Sequence, residues 1–302
     1  MSKIIRIGTR DSELALWQAR TVQGKLTELG YEAELVPVKS QGDLQLDKPL
    51  YELGITGIFT KTLDIAMLNG TVDIAVHSLK DVPTLLPKGI IKTAVLKRAS
   101  SADILVTKGN FDTNENCTVA TGSLRRKAQW LYRYPQHEVV GLRGNVNTRL
   151  QKLEDSAWQG AIFAKAGLER IDLLPKNYLE LDWMIPAPAQ GAMAVVALEN
   201  DPYCTAATSK LNHKDSNICT TVERDFLKVM EGGCTAPIGA LAEIIGEKLH
   251  FMGAVFSLNG RSKAEINKSV TKDEWKSSGE RFAKTLLESG GKEIMDDIRA
   301  KS

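Results

Sequence analysis

Hydrophobic positions in this chain alternate between short continuous runs and stripes at helical spacing. Lys3–Gly8, Glu32–Val38, Ile74–Val76 and Ile90–Leu96 are short runs bounded by polar residues, the pattern of buried strands. Between the first two, Leu14, Trp17, Val22, Leu26 and Leu29 form one broad apolar face; Asp11 or Ser12 can cap its start, and Gly30 closes it. Thr60 caps a further predicted helix running through Met67 and ended by Asn69-Gly70. Lys39–Gly57 has weak periodicity and several glycines, so it reads as a long mobile loop. Strand–helix–strand alternation predicts a parallel sheet with helices on both faces.

The alternation starts again at Asp103. Strands are predicted at Ile104–Thr107, Val119–Thr121, Glu138–Leu142 and Ala161–Ala164, with helices at Leu124–Arg133 and Val146–Leu153. Met184–Gln190, with Pro186 and Pro188, reads as an extended crossing segment, and Ala192–Leu198 as a strand returning to the first unit. Two α/β units joined by two crossings form a cleft that can hinge. The pattern then changes: a helix from about Asn217 to Met230, strands at Ala240–Ile245, Lys248–Phe256 and Ala264–Val270 with Asn259-Gly260 as a hairpin turn, and two amphipathic helices. Strands followed by helices predict an α+β domain with a small antiparallel sheet. The expected division is 1–98 completed by about 191–208, then 99–190, then 212–302. No internal repeat is visible.

Length agrees with two or three domains, since 302 residues exceed one ordinary core. With 43% hydrophobic and 25% charged residues, the composition is that of a globular protein. A net charge of +2 does not favour nucleic acid, and aromatics are not interleaved with the basic residues. Met1–Arg6 carries no long apolar segment, so no secretory leader or membrane span is expected and the cytoplasm is the expected compartment. Cys117, Cys204, Cys219 and Cys234 are far apart with no CxxC spacing, which argues against zinc and against a disulfide framework.

Two constellations carry candidate chemistry. In Asp73–Pro83 an apolar strand turns polar at His77, Ser78, Lys80 and Asp81 before Pro83 stops it, and ligands in open α/β sheets bind beyond the carboxyl ends of strands. Alone, the stretch reads sooner as a solvated corner with a surface ion pair than as a site. Arginines, however, recur wherever strands hand over to helices: Arg10; Arg125 and Arg126 after Ser123; Arg143 and Arg149; Arg170. Such corners gather free backbone N–H groups, and arginine adds a fork that fits a carboxylate. Four of them point to a cleft lined for a polyanion. There is no GxxxxGK[ST] and no GxGxxG after a strand. The second constellation is Glu231-Gly232-Gly233-Cys234, a cysteine on a glycine-flanked turn that serves either as a nucleophile or as an attachment point for a prosthetic group. The other three cysteines lack this setting and read as inert.

Together, Arg10-Asp11-Ser12-Glu13-Leu14-Ala15, Ala75-Val76-His77-Ser78-Leu79-Lys80-Asp81-Val82-Pro83, Ser123-Leu124-Arg125-Arg126, Leu142-Arg143-Gly144-Asn145-Val146 and Glu231-Gly232-Gly233-Cys234 closely resemble the porphobilinogen deaminases, or hydroxymethylbilane synthases, across nearly the whole chain. The resemblance implies two domains like type II periplasmic binding proteins, plus a third. It implies a monomeric transferase of tetrapyrrole (haem) biosynthesis that joins four porphobilinogen molecules head to tail, each losing ammonia to leave an electron-poor azafulvene. It implies a dipyrromethane cofactor on Cys234 through a thioether. By the same resemblance Asp81, with Lys80, handles the cation and the protons. Arg10, Arg125, Arg126, Arg143, Arg149 and Arg170 bind carboxylates, helped by Ser12 and Ser123, while Gln190-Gly191 sets backbone against the substrate ring. No metal, nucleic acid or membrane is implied.

Three positions depart from the family's usual residues: Thr56 where lysine is frequent, Ala189 where glycine is usual, and Val196 where glutamate is common. Two rival readings share parts of the pattern. An anion-binding protein of periplasmic type would have no use for Asp81 or Cys234, and a transferase with a cysteine nucleophile would act on a carboxylated substrate.

Overall fold

A computed structural model describes residues 3–38, 60–109, 111–230 and 236–301. The predicted loop 39–57, with Thr56, and Cys234 lie outside the described residues. Numbering elements in chain order, the first sheet holds β1 (Ile5–Thr9), β2 (Ala33–Pro37), β3 (Ile74–Ser78), β4 (Ile90–Val95) and β10 (Met193–Leu198) in the order β2-β1-β3-β10-β4. Helix α1 (Glu13–Glu28) covers one face, burying Ala19, Val22 and Leu26 against Ile5, Ile7, Ile74 and Val76. Helix α2 (Lys61–Leu68) covers the other with Leu63, Ala66 and Met67 against Ala75 and Val196.

The second sheet holds β5 (Asp103–Thr107), β6 (Thr118–Ala120), β7 (Glu138–Val140), β8 (Gly160–Ala164) and β9 (Tyr178–Glu180) in the order β7-β6-β8-β5-β9. Helices α3 (Leu124–Arg133), α4 (Val146–Asp155) and α5 (Lys165–Glu169) follow β6, β7 and β8. The sheets are mixed, which corrects the expectation of parallel ones. β10 runs antiparallel to β3 and β4, and β5 runs antiparallel to β8 and β9. The cause is the crossings: each of these strands enters its sheet from the cleft end, opposite to the strands beside it. The two sheets therefore repeat one topology without a visible sequence repeat.

After β10 the chain forms α6 (Pro202–Ser209), for which no helix is predicted, although Asp201 caps it and Pro202 occupies its first turn. Helix α7 (Lys214–Val229) starts ahead of the predicted Asn217 because His213 caps it through Ser216 N. An antiparallel sheet of β11 (Ile238–Ile245), β12 (Lys248–Phe256) and β13 (Lys263–Thr271) packs on α7, α8 (Ser278–Leu286) and α9 (Lys292–Arg299). Phe251, stacked on Phe282 and tilted against Phe226, forms its centre. Gly260, at φ +70, closes the hairpin turn, and a Cβ there would collide with backbone of α3.

Candidate active site

Strand β3 ends at Ser78 and passes into one 3-10 turn, Leu79–Asp81. Leu79 is buried and anchors the turn, which leaves Asp81 exposed and Lys80 half-buried. The Lys80 Nζ donates to Gln190 Oε1 at 3.1 Å. Burial pushes the Lys80 ammonium down to about 8; Arg126 and Arg125 add to this, and Asp81 and Asp103 oppose it. His77, on the same strand, is buried, and burial and then Arg10 push it down to about 4, so it is neutral at ordinary pH.

The four strand-to-helix corners divide unequally, one at the end of the first sheet and three at the end of the second. Ser12 is the N-cap of α1, yet its hydroxyl makes no cap bond. Ser123 caps α3 by accepting from Arg126 N, and Asn145 caps α4 by accepting from Thr148 N. Arg149 Nε donates to Gly144 O at 2.7 Å, which ties its guanidinium back to the turn before α4. Burial pushes Arg149 down to about 10; Arg126, Arg143 and Arg10 act in the same direction, and Asp81 pulls the other way. Cations from both sheets therefore share one electrostatic neighbourhood with Asp81. Arg170 sits over the Trp17 ring at 5.7 Å and donates to Gly191 O at 2.7 Å, so it spans from the second sheet to α1 and the returning crossing.

Arg125 and Arg126 occupy a different setting from an open cleft wall. Both are buried. Arg125 Nη1 donates to Asp103 Oδ2 at 2.7 Å and Ile185 O at 2.8 Å, while Arg126 donates to Asp103 Oδ1 and Ile162 O. Burial alone would raise the Asp103 carboxyl, but Arg125 and Arg126 override it and hold it well below the usual carboxylate range. One carboxylate between two guanidinia leaves one net positive charge, fixed at the cleft end of β5. Gln190, fully buried, also donates to Asp103 Oδ1, at 2.8 Å, and thereby links Lys80 of the first unit to this knot in the second. Gly191 has φ +82, and a Cβ there would collide with the carbonyls of Ser100 and Ala99, so glycine is what lets the two crossings touch. The Gly191 carbonyl is taken by Ala99 N and Arg170.

Sequence reasoning missed Asp103, Arg98, Glu223 and Arg224. Asp103 heads an apolar strand, and an acid at the mouth of a buried run was the available signal. Glu223, with 0% exposure, accepts from Arg98 Nη1 at 2.6 Å, Ala189 N at 2.6 Å and Ala242 N at 2.7 Å, pinning the crossings to α7. Of the departures, Ala189 holds φ +63, the backbone that explains why glycine suits this position, and Val196 is buried against α2. Cys117, Cys204 and Cys219 are buried free thiols, and burial pushes the last two up to about 12. Asp73, Asp201 and Cys204 come close enough to suggest a metal site, but the Lys3 ammonium already sits among them, 3.0 Å from Asp73 and 2.7 Å from Asp201.

Comparison with known proteins fits these groups to a family. Residues 5–206 match the family described as porphobilinogen deaminase, dipyromethane cofactor binding domain, and residues 217–288 match porphobilinogen deaminase, C-terminal domain. The chain belongs to the porphobilinogen deaminase family. A porphobilinogen deaminase from Syntrophomonas wolfei is 37% identical over 98% of this chain and 99% of its own. One from Campylobacter hominis is 39% identical over 96% of this chain and 97% of its own. Among solved structures, the methionine-binding protein MetQ is similar at 13% identity and TM-score 0.45, covering 69% of this chain and 89% of that one.

The family's cofactor, a dipyrromethane, bears acid side arms. Its fit to this chain is tested by the donor set: Arg10, Arg143 and Arg149, with the net positive charge of the Arg125–Asp103–Arg126 knot, in one electrostatic neighbourhood with Asp81. Arg125 Nε is, in addition, a buried donor without an acceptor. An acid-armed group fits this set. No helix among the described residues is long and apolar enough to cross a membrane.

Proposed function

We propose that this chain condenses porphobilinogen, an acid-armed pyrrole, into the linear tetrapyrrole hydroxymethylbilane, four molecules per product with one ammonia lost at each condensation and one water consumed to release the chain with its terminal hydroxyl. The observation that carries this reading is the convergence on Arg149 of the charges of Arg126, Arg143 and Arg10 and of the Asp81 carboxylate, drawn from both sheets. A dipyrromethane joined to Cys234 by a thioether supplies the primer and, through its acid arms, ligands for these arginines. Arg10, Arg143, Arg149 and Arg170 bind carboxylates, with the hydroxyls of Ser12 and Ser123 assisting. Arg125 and Arg126 act chiefly as a fixed positive field, because Asp103 already occupies their forks. Asp81 accepts from the pyrrole N–H, balances the positive charge that develops as ammonia leaves, and takes the proton released when the new carbon–carbon bond forms. Lys80, set by Gln190, offers a second charge at the same corner. Gln190 and Gly191 hold the returning crossing against the ring.

On this reading the working units are 1–98 with 191–208, 99–190 and 212–302, acting as a cytoplasmic monomer on a small-molecule substrate, with no need of metal, nucleic acid or membrane. The test is direct. Purified protein given porphobilinogen should release one ammonia for each molecule consumed and yield a linear tetrapyrrole, and acid Ehrlich's reagent should colour the protein before any substrate is added. A protein that consumes no porphobilinogen refutes the reading.

A further inference from the structure

Successive residues of α7 reach out of the C-terminal unit in two directions. Glu223 grips the crossings, as described. Arg224 grips the candidate catalytic turn: its Nη1 donates to Leu79 O at 3.1 Å and Val82 O at 2.8 Å, and its Nη2 donates to Pro83 O at 2.5 Å. These acceptors bracket Lys80 and Asp81. The 3-10 turn closes on one internal hydrogen bond, from Val82 N to Leu79 O at 3.2 Å, and Pro83 contributes no N–H of its own. The guanidinium adds a second donor to Leu79 O and supplies donors to the Val82 and Pro83 carbonyls that follow the turn. Its planar fork reaches three carbonyls from one side and leaves the Asp81 side chain exposed on the turn.

We infer that Arg224 is a positioning residue, which holds the Lys80–Asp81 turn at a fixed place relative to α7, the helix that leads into the Cys234 segment. The two ends of the reaction sit on different units. Asp81 follows β3 of the first sheet, while Cys234 follows α7 of the C-terminal unit. The Arg224 fork is a direct tie between α7 and the turn that follows β3. This inference rests on the reading of Asp81 as the acid–base group.

The test compares Arg224→Met and Arg224→Lys in the full-length, cofactor-loaded protein. Misplacing a reacting group by about 1 Å costs on the order of 10²-fold in rate, so kcat of Arg224→Met should fall by about that factor. KM for porphobilinogen should rise far less than kcat falls, by no more than the loss of Lys80 produces, because the arginines that bind carboxylates are untouched. The intact mass should still carry the cofactor. Arg224→Lys, which keeps the charge and one donor direction, should recover part of kcat, a recovery that loss of folded protein would not produce. Wild-type kcat in Arg224→Met overturns the inference; if that variant does not fold, wild-type kcat in folded Arg224→Lys overturns it instead. Asp81→Asn, run in parallel, separates the two claims. Full activity in Asp81→Asn removes the reading of Asp81, whereas an inactive Asp81→Asn beside fully active Arg224 variants removes only the role given to Arg224.

Discussion

The two five-stranded sheets share one wiring, three parallel strands followed by an antiparallel neighbour and an edge, and they are loaded differently at the cleft. The first sheet ends in a short turn that exposes a carboxylate and half-buries an ammonium, beside one arginine corner. The second ends in three helix corners carrying five arginines, two of them knotted on Asp103. On the proposed reading, a topology used twice is divided between proton handling and anion holding. The burial pattern matches that division. A group proposed to exchange protons must reach water or substrate, and Asp81 is exposed; groups proposed to act as a fixed field can work from behind a wall, and Arg125 and Arg126 are buried.

Substitutions can break this contrast or sharpen it. Asp81→Ala should lower kcat by about 10²–10⁴-fold without lowering the melting temperature, because general acid–base contributions are of that size and the residue is exposed. Unchanged turnover would erase the distinction between the sheets. Arg143→Leu should cost about 2–5 kcal/mol in kcat/KM, the loss of one fork from a desolvated carboxylate. Arg261→Leu, at an exposed hairpin, should cost less than about 1 kcal/mol. Arg126→Leu should differ in kind and remove about 3 kcal/mol of folding stability as well, because Asp103 would keep its buried charge with one guanidinium fewer; urea unfolding measures it.

A smaller effect is expected at Lys80. With its ammonium at about 8, the charged form is present below that pH and lost as pH rises through it, so KM should climb above about pH 8. Lys80→Met should flatten that limb, and an unaltered pH profile would detach Lys80 from substrate binding. The smallest effect belongs to the returning crossing. Relieving a left-handed alanine gains about 1–2 kcal/mol, and the extra freedom of an unfolded glycine takes back about 0.4–1 kcal/mol. Ala189→Gly should therefore stabilise the fold slightly in thermal unfolding, and a loss of stability would contradict the strain.

The contrast was partly legible in the sequence. Helix α3 carries the bounds its pattern predicts because Ser123 caps it locally, and the returning strand declares itself as a fully apolar run. Strand direction was not legible. Alternation orders elements but does not say from which end a crossing feeds a strand, so β5 and β10 were expected parallel. Strand β9 is too short to show a period, and α6 carries its start signals over few residues. The arginine corners were visible as composition at strand ends. The partners that sort them were not, because Asp103 lies 22 and 23 positions from Arg125 and Arg126, and Arg224 lies more than 140 from the turn it holds.

The account stands on a product held by the protein while the two sheets work on it. Intact-protein mass under denaturing conditions tests this most directly, since a thioether survives unfolding and thiol reductants while a disulfide does not. The wild-type protein should weigh one dipyrromethane more than its chain, and brief exposure to porphobilinogen should add up to four equal steps that vanish on product release. Cys234→Ser should show neither the adduct nor the steps, and Cys204→Ser and Cys219→Ser should show both. A bare chain mass for active wild-type protein, or an adduct that dithiothreitol strips, would contradict the account.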